Sequence, residues 1–150
     1  GMEEQFDLID YICVSQCIRR GVSREAEDEL RRNRISHFHI LYIALLYKSE
    51  GGLTLSELST YAGMDRANAT RAVADLEHLG FVRRERHKEG CKKYKIVLTE
   101  TGTEIGGQTI AFMREKARAL VSGLTDKEAR TFFSLIKKQA AYLRANKEQI

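Results

Sequence analysis

The fold is decided by the stretch from Thr54 to Val82, which reads TLSELSTYAGMDRANATRAVADLEHLGFV. Its first four residues match a capping box, in which the Thr54 hydroxyl and the Glu57 carboxylate satisfy backbone donors at the start of a helix. Gly63 is expected to end that helix, because glycine accepts the left-handed backbone of a helix terminus. The pattern therefore predicts a short helix through about Tyr61, followed by a tight turn.

A second helix is predicted after that turn. Asp65 is placed to cap it and Gly80 to end it, so we expect a helix from Arg66 to Leu79. One face of this helix is apolar and is expected to be buried, with Ala69, Ala72, Val73, Leu76 and Leu79. Two short helices joined by a glycine-containing turn form a candidate helix-turn-helix.

The next segment predicts a basic β-hairpin. Extended stretches at 81–89 and 91–98 flank Gly90, and the residues expected on the inner face are Val82, Tyr94, Ile96 and Leu98. Residues 81–98 contain seven Lys or Arg against two Glu, a net of +5, whereas the whole chain has a formal net charge of +4. A basic hairpin directly after a helix-turn-helix is typical of a DNA-binding wing.

Helices are predicted on both sides of this segment. The chain has no Pro and is 43% hydrophobic, and its apolar periodicity indicates helices at about 6–32, 36–49, 99–121 and 125–146. The predicted fold class is therefore mainly α with a small β-hairpin wing (α+β).

The exposed face of the second helix carries the candidate DNA contacts. They are Arg66, Ala67, Asn68, Thr70 and Arg71. Small residues permit close approach to the major groove, whereas the Asn, Thr and Arg side chains can bind base edges or phosphates. Acidic residues offset the two arginines, so most of the electrostatic affinity is expected from the hairpin.

From Thr54 to Gly102 the sequence resembles the MarR family. The resemblance rests on Leu58, Gly63, Thr70-Arg71, Leu76-Glu77-x-Leu79-Gly80-Phe81-Val82 and Leu98-Thr99-Glu100-x-Gly102. It implies a single domain over 1–150, with a winged helix-turn-helix lobe at about 36–102 and dimerisation helices at about 5–35 and 103–150. It also implies a homodimeric transcriptional repressor that binds inverted-repeat double-stranded DNA, with Asn68, Thr70 and Arg71 as groove or phosphate contacts.

The wing departs from the family pattern at one place. The family usually has Asp-x-Arg shortly before Leu-Thr, where this sequence has Gly90-Cys91-Lys92. Lys92 keeps the charge without the planar fork of Arg. The wing contacts to DNA are therefore expected from several basic residues, namely Arg84, Arg86, Lys88, Lys92 and Lys93.

Cys13 and Cys17 lie one helical turn apart and allow two interpretations. The one we favour makes them small apolar interface residues. The alternative is a thiol-based redox sensor, because the peroxide-sensing branch of the family places its reactive cysteine in this region. A phenolic or aromatic effector, bound between the dimerisation helices and the lobe, is expected to contact residues among Cys13, Cys17, His37, Tyr42 and Tyr61.

Other function classes are disfavoured. Three cysteines without a secreted disulfide pattern favour a reducing cytoplasm, and no apolar stretch is long enough to predict a membrane span. The sequence has no zinc-type ligand spacing, phosphate-binding glycine motif or nucleophile elbow, so we predict no metal, no cofactor and no enzymatic activity. A winged helix used for protein assembly without DNA is the remaining alternative.

Overall fold

The computed structural model describes residues 1, 5–32, 34–86 and 94–146, with the side chains of 25–30, 37 and 38 left out. Over these residues it contains six helices and one two-stranded antiparallel sheet. The elements are α1 (Leu8–Arg32), α2 (His37–Lys48), α3 (Leu55–Ala62), α4 (Arg66–His78), β1 (Val82–Arg86), β2 (Tyr94–Leu98), α5 (Glu100–Leu120) and α6 (Asp126–Ala145). The predicted fold class and the order of its elements are confirmed.

The core of the lobe is built around α2, which contacts α1, α3, α4 and β2. The largest fully buried side chains are Tyr42, Ile43, Leu58, Val73, Leu76 and Ile96. Four of the five residues predicted on the inner face of α4 are buried, because Ala69, Ala72, Val73 and Leu76 are each 0% exposed. Leu79 is half-buried, because it lies at the C-cap, just after the last residue of the helix. Small alanines on this face let α4 approach the bulky side chains of α2 closely.

Local capping signals position the helix-turn-helix as predicted. The Thr54 hydroxyl accepts from the Glu57 N–H at 3.1 Å, and the Glu57 carboxylate accepts from the Thr54 N–H at 3.0 Å. The hydrogen bond from the Thr54 backbone holds the pKa of the Glu57 carboxyl below its usual value. Asp65 caps α4, and Gly63 and Gly80 have φ values of 67° and 80°, in the left-handed region where glycine ends a helix.

The hairpin is anchored at its base and extends away from the core. Val82 pairs with Leu98 and Arg86 with Tyr94, while a one-residue bridge joins Leu53 to Ile96 beside β2. Val82 and Ile96 are buried as predicted, whereas Leu98 is half-buried. Tyr94 was expected on the inner face but is exposed, because it lies at the far end of the strands, beside the Arg86 guanidinium.

A tight junction joins the hairpin to α5. The Thr99 hydroxyl donates to the Gly80 carbonyl at 2.6 Å and accepts from the Gly102 N–H at 3.0 Å. The Thr99 N–H donates to the Phe81 carbonyl at 3.0 Å. A Cβ on Gly102 would lie only 1.9 Å from that same carbonyl oxygen, so no larger residue fits there without backbone movement.

The chain divides into two compact units, Gly1–Ala111 and Phe112–Ile150, with the boundary inside α5. The sequence-based division into a lobe at 36–102 and dimerisation helices on either side stays a prediction. In the described part of the chain, no helix is both long and apolar enough to cross a membrane.

We expect Gly102→Ala to lower the free energy of unfolding by about 1–3 kcal/mol, because the added methyl group overpacks the junction. Gly107→Ala is the matched control in the same helix, since its Cβ would make an ordinary 3.5 Å contact with the Tyr47 hydroxyl oxygen. Urea-unfolding curves at one protein concentration measure both effects. Equal destabilisation by the two substitutions would contradict the assigned role of the Gly102 junction.

Candidate nucleic-acid interface

The exposed face of α4 presents the predicted contact residues together. Arg66, Ala67, Thr70 and Arg71 are exposed, and Asn68 is half-buried. The opposite face is fully packed, so the backbone beneath these side chains is held in place. The arrangement is that of a helix able to enter the major groove with its N-terminal residues leading.

The first turn of α4 is fixed by its cap. The Asp65 carboxylate accepts from the Asn68 N–H at 2.7 Å, which satisfies a donor that has no partner within the helix. A carboxylate at this end also interacts favourably with the helix dipole. The start of the candidate recognition helix is therefore defined by a direct hydrogen bond.

Asn68 is also held from below by α2. The Tyr42 hydroxyl donates to Asn68 Oδ1 at 2.5 Å, and Tyr42 is only 1% exposed. Burial raises the pKa of the Tyr42 phenol, and the nearby Asp65 carboxylate raises it further. The phenol therefore remains a neutral donor at ordinary pH. Sequence reasoning placed Tyr42 among the effector contacts and missed this bond.

Thr70 makes a hydrogen bond within its own helix. Its hydroxyl donates to the Arg66 carbonyl oxygen at 2.8 Å. In this arrangement the hydroxyl proton is already used, so Thr70 offers an outside partner an acceptor oxygen and a methyl group. A thymine methyl or a base amino group would suit that chemistry.

A second contact holds α4 to α2 further along the helix. His39 Nδ1 accepts from the Ser36 N–H at 3.2 Å, and its Nε2 lies 3.0 Å from Asp75 Oδ2. The accepting role of Nδ1 places the proton of the neutral ring on Nε2, which donates to Asp75. Asp75 lies about two helical turns after Asn68, so the two bonds together fix the rotation of α4.

The described arginines of the hairpin are exposed and paired. Arg84 Nε donates to Glu77 Oε2 at 3.2 Å, which links β1 to α4. Arg86 donates to the Tyr94 hydroxyl at 3.2 Å and lies 5.5 Å from the centre of that ring. Arg83 pairs with Glu85 and was not singled out from the sequence. The predicted contacts Lys88, Lys92 and Lys93 lie outside the described residues.

The predicted effector and redox residues have different environments. Cys13 and Cys17 are exposed on α1, Tyr61 is exposed on α3, and Tyr42 is buried beneath α4. The side chain of His37 lies outside the described part of the structure. No side-chain hydrogen bond or ring contact joins any two of the other four, all of which lie within the described residues.

A cavity of about 260 Å³ lies elsewhere, between the end of α2 and the base of the hairpin. Its lining includes Leu46, Tyr47, Ser49, Gly51, Gly52, Val97, Leu98 and Thr103. None of the predicted effector residues is among them. The cavity combines one aromatic ring with hydroxyl groups and backbone.

Comparisons with known proteins agree with this architecture. The MarR family model matches residues 35–90, which run from the start of α2 into the hairpin. The HTH-type transcriptional regulator BilQ of Clostridium symbiosum (strain WAL-14163) is 26% identical over 112 residues, covering 75% of this chain and 77% of BilQ.

Solved structures share the fold over nearly the whole chain. A MarR family regulator from Listeria monocytogenes, complexed with a 26mer DNA, has a TM-score of 0.82 at 20% identity and covers 94% of this chain and 91% of its own. The Staphylococcus aureus MepR–DNA complex has a TM-score of 0.78 at 19% identity, covering 89% and 97%. Residues 35–90 of this chain thus match the MarR family model, and the chain as a whole has the fold of solved MarR-type regulators.

Proposed function

We propose that this protein is a transcriptional regulator that binds inverted-repeat operators as a homodimer and represses transcription by occupying them. The observation that carries the proposal is α4, whose buried face is locked to α2 while its opposite face presents Arg66, Ala67, Thr70 and Arg71. A protein bound at the operator prevents RNA polymerase from reaching that DNA, and it needs no contact with the polymerase to do so. Repression is therefore the simplest consequence of operator binding.

The recognition face of α4 combines close approach with polar contacts. Ala67 has no side chain beyond Cβ to keep the helix away from the base edges. Arg66 and Arg71 can each pair with a phosphate or with guanine O6 and N7. Rigid support matters because base readout needs the side chains to meet fixed groove positions.

The hairpin is proposed to contribute the sequence-independent part of the affinity. Arg84 and Arg86 are exposed on β1, next to α4 in the chain, and Arg84 is joined to α4 through Glu77. Phosphates compete with the carboxylate and phenol partners of these arginines once DNA is present. Each phosphate contact releases counterions, which makes the affinity depend on salt.

Dimerisation is supported by apolar helix faces that one chain leaves uncovered. None of the twenty residues of α6 is buried, although Phe132, Phe133, Ile136 and Leu143 follow one side of it at helical spacing. On α1, Ile9 is 75% exposed, with further apolar residues beside it. Apolar faces of this extent on terminal helices fit burial by a second copy of the chain.

Release from DNA is proposed to follow binding of a phenolic or aromatic ligand, with oxidation of Cys13 or Cys17 as the alternative. The cavity beside Tyr47 supports the first route, because it joins an aromatic wall to hydroxyl groups. The oxidation route is supported by the exposure of the Cys13 and Cys17 thiols in a single chain. If α1 lies in the dimer interface, these thiols become interface residues and the first route is favoured.

The DNA-binding proposal is tested on duplexes from upstream of the protein's own gene, across a salt series. Arg71→Ala should relax sequence selectivity. An Arg84→Ala/Arg86→Ala double variant should reduce the slope of log affinity against log salt by about 0.9 for each phosphate that the hairpin no longer neutralises. Lys137→Ala on α6 is the matched control and should leave both quantities unchanged. Weak binding that is equal on all sequences would instead support a protein-assembly role.

The dimer proposal is tested by light scattering coupled to size exclusion. The wild-type protein should have twice the 17.1 kDa mass of one chain. Ile136→Glu should shift it to monomer, because a charge enters the apolar stripe of α6. Lys138→Glu, on the opposite side of the same helix, should leave the dimer intact. A monomeric wild type at micromolar concentration would contradict the proposal.

A further inference from the structure

Tyr42 has a buried hydroxyl whose partner is in the candidate DNA contact surface. The ring is 1% exposed, and its hydroxyl donates to Asn68 Oδ1. A buried phenol oxygen must find a partner, because leaving the group unpaired would cost stability. In the structure the hydroxyl proton of Tyr42 is donated to the carboxamide oxygen of Asn68, and this bond holds that oxygen facing inward.

The other end of the carboxamide faces outward. Asn68 Nδ2 makes no hydrogen bond within the described residues, and no side-chain nitrogen or oxygen there is both buried and unpaired. The amide nitrogen of this half-buried side chain is therefore accessible to solvent. Asn68 presents hydrogen-bond donors to whatever approaches α4, while its acceptor is occupied.

The position of Asn68 makes this orientation relevant to base readout. It lies in the first turn of α4, next to Ala67 and with its N–H held by Asp65. Residues in the N-terminal part of a recognition helix are those that contact base edges. An asparagine free to rotate pairs with adenine through both ends of the amide, accepting from N6 and donating to N7.

We propose that Tyr42 is a positioning residue that sets the base preference of Asn68. With its oxygen held inward, Asn68 donates to adjacent acceptors and prefers guanine, whose O6 and N7 lie side by side in the major groove. Adenine is disfavoured because its N6 amino group faces the amide nitrogen, donor against donor. This inference rests on the proposed operator binding and adds a role for Tyr42 other than effector contact.

The test selects operators from a pool with randomised half-sites. The base pair that Asn68 reads is the operator position at which the Asn68→Ala variant loses the base preference of the wild type. At that position the wild type should prefer guanine over adenine by about tenfold. Tyr42→Phe keeps the ring and removes only the hydroxyl, so it should remove that preference or shift it to adenine, with the salt slope unchanged.

Two control variants distinguish loss of the Tyr42–Asn68 hydrogen bond from a general loosening of the packing between α2 and α4. His39→Ala breaks the hydrogen bond from α2 to Asp75 on α4 and should leave the base preference intact. The double variant Tyr42→Phe/Asn68→Ala should match Asn68→Ala alone, because Tyr42 acts through Asn68. A wild-type preference for adenine, or an unchanged preference in Tyr42→Phe, overturns the proposal.

A measurement on the DNA-free protein distinguishes a failure of the Tyr42–Asn68 positioning contact from a failure of DNA binding. The side-chain amide resonances of Asn68 should move in Tyr42→Phe and stay in place in His39→Ala. If the wild type selects no sequence while these resonances respond as expected, the operator proposal fails and the positioning contact stands. If the resonances do not respond to Tyr42→Phe, the positioning contact itself is wrong.

Discussion

The packing of α4 against α2 is the contact on which the rest of the lobe depends. Ala69, Ala72, Val73 and Leu76 are completely buried, and close packing of this kind leaves little freedom for a helix to rotate or slide. The bonds from Tyr42 and His39 reinforce the same contact at two levels along α4. Its outer face is therefore held in a defined position before any partner arrives.

In the proposed complex with DNA, the hairpin and α4 have different roles. α4 carries few net charges, because acidic residues on it offset its arginines, while β1 carries exposed guanidinium groups. The Arg84–Glu77 bond joins the two elements through exposed groups, where an ion pair contributes little to stability. Such a pair can exchange its carboxylate for a phosphate at small cost. The proposal therefore assigns base readout to α4 and electrostatic affinity to the neighbouring hairpin.

Much of the fold follows from local signals in the sequence. Thr54 with Glu57, Asp65, Gly63 and Gly80 act through residues a few positions away, so their spacing alone predicted where α3 and α4 begin and end. The contacts of Tyr42 with Asn68 and of His39 with Asp75 join residues 26 and 36 positions apart. They depend on how α2 crosses α4, which no local pattern contains. Tyr94 was misplaced for a similar reason, because alternation along a strand does not show where the core beneath it ends.

In the proposed homodimer, two copies of α4 read DNA in successive major grooves. Methylation protection of guanine N7 on the upstream DNA tests it most directly, because this atom lies in the major groove. We expect two symmetric protected sites whose centres are about 10–10.5 base pairs apart or a multiple of that spacing. Protection that is uniform along the duplex, or absent at concentrations that saturate the DNA, would contradict it.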